Sequence, residues 1–294
     1  MKYIDAHHHL WDLNAVSYPW LEAKGVTRFF GDPTPIQRNY LIDEFKAEAA
    51  PFGFGGSVHI QVGADDAWEE ANWVQDVADA HPEWPMRQVV YCDLTRPDLT
   101  EQLDQFQTLP TVKGVRQIVG RAPGEDAQTG TNEIIRAQAF LDGMRALGAR
   151  GLSFDLQLIP ELMPAMGDVL QDAPETKVVL CHAGSPHDRS RSGLREYGEA
   201  LHHLSRLPQV YCKLSGLGMF DHTWNVGSIR PIVETCLDQF GAGRCMFGSN
   251  FPVDKLYSDY QKLAQSYFEI VPQDLQQSVF SDVARGFYEL DRVA

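Results

Sequence analysis

Three histidines stand together at positions 7, 8 and 9, behind the lead-in Tyr3-Ile4-Asp5-Ala6. Side chains alternate along a strand, so Asp5, His7 and His9 are expected on one face and His8 on the other. Two imidazoles at i and i+2 make half of a metal site, or two polar arms reaching into one pocket. A tag would carry more consecutive histidines and no strand leading into them. Further along the chain, Gln61, Tyr91, Arg116, Asp155, His182, Lys213 and Asn250 sit at or near the ends of short apolar runs. One polar residue of this kind is usually satisfied structurally, because burying it unpaired costs free energy. A set drawn from every apolar run points instead to a common pocket.

The runs themselves supply the scaffold. Strands are expected near Tyr3–His9, Gly55–Val62, Arg87–Leu94, Val112–Ile118, Gly151–Leu158, Lys177–Gly184, Val210–Gly216 and Arg244–Asn250. Helical patterns lie between most of them, including an amphipathic stretch from Glu133 to Leu147 that stops at Gly148. Short apolar strands alternating with helices indicate a parallel sheet. Eight such units in 294 residues are met most simply by one α/β domain over residues 1–294, a single (β/α)8 TIM barrel. An open doubly wound sheet is the alternative. Against it, histidines occupy the place where a glycine-rich phosphate loop would follow the first strand. In a βα barrel the chemistry sits at the C-terminal strand ends, where the polar set falls. The long irregular stretch from Trp11 to Asn39 is rich in aromatics and reads as a flap over the pocket.

Composition narrows the partners. The net charge of −15 argues against nucleic acid and anionic membranes, which need a basic footprint. No apolar run is long enough to span a bilayer, and the first strand begins too early for a secretory signal. Of the five cysteines, Cys92, Cys181, Cys212 and Cys245 lie in apolar runs and read as reduced, buried residues of a cytoplasmic protein. An anionic substrate would need a local positive charge, which gives Arg116 and Lys213 weight as binding residues. Lys213 has a second reading as the ion-pair partner of Asp155.

Taken in order, Asp5-Ala6-His7-His8-His9-Leu10-Trp11-Asp12, Val115-Arg116-Gln117, Leu152-Ser153-Phe154-Asp155, Cys181-His182-Ala183-Gly184, Lys213-Leu214-Ser215-Gly216 and Phe247-Gly248-Ser249-Asn250-Phe251-Pro252-Val253 span nearly the whole chain. This set resembles the amidohydrolase superfamily, and most closely its amidohydrolase-2 group of sugar-acid lactonases and 2-pyrone-4,6-dicarboxylate lactonase. The resemblance implies a barrel hydrolase that opens the lactone of a small acid. It makes His7, His9 and His182 the candidate ligands of one divalent metal, zinc before others, held weakly or not at all. His182, Asn250 and Asp155 are then the candidate catalytic residues. Arg116, Lys213, Gln61 and Tyr91 are the candidate substrate contacts. Arginine's planar fork suits a carboxylate or a lactone oxygen.

Asn250 departs from the pattern, which places an aspartate there as the base that activates water. Asparagine cannot accept that proton. Three readings stay open. Asp155, Asp254 or His182 could be the base. A metal could acidify the water while Asn250 only orients it. Or the barrel could bind a small acid without turning it over. Metal-dependent decarboxylation is a further alternative. The oligomeric state is open, a homo-oligomer included.

Overall fold

The computed structural model describes residues 2–291. Its eight strands are β1 (Tyr3–His8), β2 (Phe54–Ile60), β3 (Met86–Val90), β4 (Val112–Val115), β5 (Ser153–Leu156), β6 (Val178–Leu180), β7 (Val210–Leu214) and β8 (Cys245–Phe247). They form one parallel sheet in chain order, β1 to β8. The sheet closes where the ends of β1 and β8 meet. His9 N donates to Phe251 O at 2.7 Å and Asn250 N to His7 O at 2.7 Å. The architecture is a (β/α)8 barrel, and the seam that closes it joins the first and last of the predicted site residues.

Most helices follow the sequence pattern, and their starts are chemically marked. Asp66 caps Ala67–Ala80 by accepting from Trp68 N and Glu69 N. Asn225 and Ser228 form a reciprocal capping box on Val226–Phe240. The amphipathic stretch expected from Glu133 begins as a tighter 3-10 turn over Thr131–Arg136 and becomes α-helical only at Gln138. A short helix at Pro123–Thr129, not expected from the sequence, precedes it.

Two apolar layers hold the barrel. Outside, the helices pack on the strands through a large buried cluster. Inside, Ile4, Ala6, Val58, Ile60, Val89, Val179 and Met246 form a smaller cluster with Val283, Phe287 and Tyr288 of the C-terminal helix. That helix plugs the N-terminal end of the barrel, and Glu289 just beyond it ties to Arg87 and Lys113 near the starts of β3 and β4. Chemistry is thereby confined to the opposite, C-terminal end. All five cysteines are buried and free, and no described helix is long and apolar enough to cross a membrane.

Candidate active site

Strand β1 does not keep simple alternation. Its pairing with β2 shifts register between Asp5 and His8, and the irregularity separates Asp5 from the histidine face. Asp5 lies on the outer side as a structural anchor. It accepts from His7 N at 3.1 Å, Ser249 N at 2.9 Å and Tyr260 Oη at 2.9 Å. The expectation that Asp5 shares a face with His7 and His9 is corrected accordingly. His8 points outward as expected and stacks on Phe45, centroids 4.0 Å apart.

His7, His9 and His182 meet at the barrel mouth. The His7 ring lies 5.1 Å from His9 and 4.5 Å from His182, centroid to centroid. Glycines permit this density: a Cβ at Gly248 would stand 2.5 Å from His7 Cβ, and one at Gly216 would stand 2.3 Å from His182 Nδ1. The sixth strand ends earlier than its apolar run suggested. His182 sits just past it in a turn where His182, Ala183 and Ser185 all have positive φ, near 52–54°. Asn250 likewise has φ 57°, past the end of β8. Such conformations cost of order 1–3 kcal/mol each in non-glycine residues and concentrate at functional sites. Asparagine tolerates this region better than most residues.

Hydrogen bonds define each ring's role. His9 Nδ1 lies 2.8 Å from the Ile60 carbonyl, which can only accept, so Nδ1 carries the proton and Nε2 presents a lone pair. Ser215 Oγ stands 3.3 Å from His182 N and 3.1 Å from His182 Nδ1. The arrangement that uses every proton has Ser215 accepting from the backbone and donating to Nδ1, which leaves His182 Nε2–H as a donor. Neither nitrogen of His7 has a hydrogen-bond partner. Burial holds all three rings below the ordinary imidazole range, helped at His7 by the neighbouring His182 and Lys213 and at His9 and His182 by Arg116. His9 is lowered to about 3. All three are neutral at physiological pH, the form in which imidazole binds a metal or donates a hydrogen bond.

The cavity above them is about 310 Å³. His9, Gln61, Arg116, His182 and Asn250, all expected from the sequence, line it. Gln157, Arg28, Arg121 and Met219 also line it and were missed. Gln157 lies one residue past the end of β5 and Arg121 five past Arg116, and strand-end position is the signal that would have found them. The flap expected over Trp11–Asn39 contributes Trp20, Phe29 and Phe30. It is pinned by Trp20 Nε1 donating to Val62 O and Tyr257 Oη donating to Phe30 O, each at 2.8 Å.

Four expected site residues do not line the cavity, and the first, His7, is fully buried beside His9 and His182. Tyr91 is 39% exposed and outside the cavity, because β3 ends at Val90 and the chain turns outward there. Asp155 and Lys213 are fully buried and paired at 2.5 Å, and Tyr288 Oη donates to both carboxylate oxygens at 2.9 Å. They form a closed polar layer between the apolar plug and the histidines. Asp155 has no free lone pair aimed at a substrate, and Lys213 is neutralised where it stands.

Arg116 is the cation of the cavity. Its guanidinium donates to Gln61 O at 3.2 Å and to Gln157 Oε1, both neutral, and its Nε has no partner. Nearer the mouth, Arg121 pairs with Glu125 at 2.6 Å, and Arg28 approaches the same carboxylate at 4.0 Å. Among the described residues the lining holds three arginines and no carboxylate, in a protein whose net charge is −15.

The amidohydrolase family model matches residues 4–290. The chain belongs to the amidohydrolase family. It is a hydrolase by that membership, and relatives of the same length surround it. The protein y4mH of Sinorhizobium fredii is 36% identical over 293 residues, with 98% of each chain covered. An L-fucono-1,5-lactonase of Burkholderia multivorans is 28% identical, covering 89% of this chain and 86% of its own. A solved amidohydrolase structure from Burkholderia multivorans with bound zinc superposes with a TM-score of 0.83 at 23% identity, covering 98% and 99% of the two chains. It shares this amidohydrolase's fold.

Whether the site can hold a metal depends on its donor set. His7 offers unpartnered nitrogens and His9 a lone pair at Nε2, donors that suit zinc. Among the described residues no three histidine, cysteine or carboxylate groups are grouped so as to hold a metal ion together. The amidohydrolase therefore presents an open imidazole set, suited to a divalent ion and lacking the carboxylate that would complete it.

Proposed function

We propose that this amidohydrolase opens the lactone of a small anionic acid by attack of water. One observation carries the reading: Arg116 is a buried guanidinium whose partners are all neutral, beside a neutral His182 whose Nε2–H faces the same cavity. A buried cation without a counter-charge is costly, and an incoming oxyanion relieves that cost. Two donors converging from the ends of β4 and β6 suit the oxygen of a carbonyl that becomes an oxyanion. Two relatives named L-fucono-1,5-lactonase support the reaction class.

In this reading the lactone carbonyl oxygen rests on Arg116 and His182. Water stands between Asn250 and the His7/His9 pair, and its oxygen bonds to the carbonyl carbon. The ring C–O bond breaks, and the proton that the water gives up ends on the leaving alkoxide, so that one water and one lactone give one hydroxy acid. Asn250 orients the water without accepting its proton. A divalent ion held by His7 and His9 would supply Lewis-acid polarisation and an acidified water when bound. Arg28 and Arg121 share Glu125 as ion-pair partner, and Asp126 accepts from the Arg121 backbone N–H. A lining with three arginines and no carboxylate favours a substrate carrying a carboxylate besides the lactone.

The test is proton release at constant pH from L-fucono-1,5-lactone, other sugar-acid lactones and 2-pyrone-4,6-dicarboxylate. Hydroxy-acid product from at least one supports the reading. Carbon dioxide from a carboxylic acid with no lactone opened sinks it.

A further inference from the structure

Asp254 lies one turn past Asn250, its N–H donating to Asn250 O at 3.1 Å. The residue is 1% exposed. Its carboxyl faces the Asn250 amide and the Gly216 N–H, neither in full hydrogen-bond geometry. A Cβ at Gly218 would stand 3.0 Å from Asp254 Oδ1 and 3.1 Å from Trp224 Nε1, so the indole N–H also opens onto this space. The Asn250 Nδ2, Trp224 Nε1, Arg189 Nη1 and Tyr267 Oη groups are all buried without a hydrogen-bond partner, as are both Asp254 oxygens. Of the titratable and charged groups around the carboxyl, Arg189 is the nearby cation and Tyr267 the nearby phenol. Asp221 stands beyond Arg189, 3.9 Å from its Nη1.

An amide is a donor at one end and an acceptor at the other, and its neighbours decide which end goes where. On one side of Asn250 is His9 Nε2, 3.3 Å from Oδ1, with a lone pair fixed by the Ile60 contact. On the other is Asp254. We propose that Asp254 is the positioning residue of this site, setting which end of the Asn250 amide faces the cavity. An ionised Asp254 can only accept, so it draws Nδ2 and leaves Oδ1 facing the cavity as an acceptor for water. A protonated Asp254 donates to Oδ1 and turns Nδ2 toward the His9 lone pair. The water-orienting state is then the one with Asp254 ionised. Burial raises this carboxyl to about 8, against the pull of Asn250, Gly216 and Arg189, so both states are populated near neutral pH.

This inference sharpens the lactonase reading and is testable without it. The Asn250 side-chain amide, identified by the signals lost in Asn250→Asp, is followed by NMR from pH 5 to 10. The expected result is a shift with a midpoint between about 7 and 9 in the native protein, lost in Asp254→Asn. An amide flat with pH in the native protein overturns the proposal even if no variant folds, and so does an identical titration in Asp254→Asn. Where a lactone is turned over, kcat should rise through the same midpoint in the native enzyme and lose that limb in Asp254→Asn, with KM nearly unchanged. A purely structural Asp254 would lower kcat evenly across pH, which also counts against the proposal. If no lactone is opened, the amide titration still decides, and only the functional reading falls.

Discussion

His9 Nε2 lies 3.3 Å from Asn250 Oδ1, across the seam that closes the barrel between β1 and β8. The first and last strands each contribute one side of the place where water would sit, and closure of the sheet puts them together. The contact also sets a neutral amide beside three neutral imidazoles.

Asn250→Asp should therefore change the electrostatics more than the shape. Aspartate tolerates positive φ nearly as well as asparagine, so the backbone at 57° is kept. The added charge should strengthen divalent-metal binding about tenfold or more and raise the His9 pKa. Zinc titration by calorimetry checks the first expectation and histidine NMR the second. If metal affinity, imidazole titration and lactone turnover are all unchanged, Asn250 does not belong to the site.

Arg116→Gln keeps much of the side chain's reach and removes the charge. Loss of one oxyanion donor typically costs about 10²–10³-fold in rate, and kcat/KM for a lactone substrate should fall by that order. Steady-state kinetics on folded protein, verified by circular dichroism, makes the measurement. A fall below tenfold would remove Arg116 from the oxyanion position.

The mouth arginines should act on substrate charge. Glu125→Gln releases Arg121 and Arg28 from their shared carboxylate, so KM for a carboxylated lactone should drop several-fold. Arg121→Gln should raise it by about tenfold, roughly the 1.4 kcal/mol of one charge-assisted hydrogen bond. KM for a neutral lactone should hardly move in either variant. Equal effects on both substrates would contradict a charge-selective mouth.

The Lys213–Asp155 pair is a test of fold rather than of catalysis. Both side chains are fully buried, so Asp155→Asn leaves an uncompensated ammonium and should destabilise by about 3–5 kcal/mol. Replacing both, as Lys213→Met with Asp155→Leu, should cost clearly less than the sum of the single changes. Urea unfolding midpoints give the comparison. An Asp155→Asn protein as stable as the native one would contradict the closed layer.

Glu70 is fully buried and raised to about 8 by that burial, although Val62 N and Ala64 N donate to it. The native state thus holds a proton that the unfolded chain releases above about 4.5. The unfolded state binds fewer protons across this window, so Glu70 makes stability fall as pH rises from about 4.5 to about 8. Glu70→Gln removes this dependence, worth at most roughly 5 kcal/mol by linkage. The depressed histidines act the other way: the unfolded chain takes up protons below about 6.5, so their share of stability falls as pH drops. Urea titrations at pH 5, 7 and 9 should show Glu70→Gln gaining on the native protein steadily with pH. A constant difference would refute the shift.

The barrel was legible because it depends on local patterns repeated along the chain. Apolar runs such as Val178–Leu180 bury both faces, and helices such as Ala67–Ala80 carry their own caps and periodicity. His7, His9, Arg116, His182 and Asn250 were legible for a related reason: each stands at or just past a strand end, and a βα barrel brings all such ends to one face.

Other features depended on neighbours distant in sequence. The β1 irregularity that moves Asp5 outward arises from pairing with β2 and from Ser249 and Tyr260. Arg28 reached the cavity because the flap folds back over it, and Tyr91 left it because β3 stops one residue earlier. Lys213 had two readings in the sequence, as an anion-binding residue and as the partner of Asp155. The choice fell to the pair because β5, β7 and the C-terminal helix put carboxylate, ammonium and the Tyr288 hydroxyl within hydrogen-bonding distance. Sequence determined which groups arrive at the mouth of the barrel, since strand period and strand order are local and additive. Tertiary structure alone decided which of them neutralise one another and which stay free, because burial and pairing depend on everything that surrounds a charge.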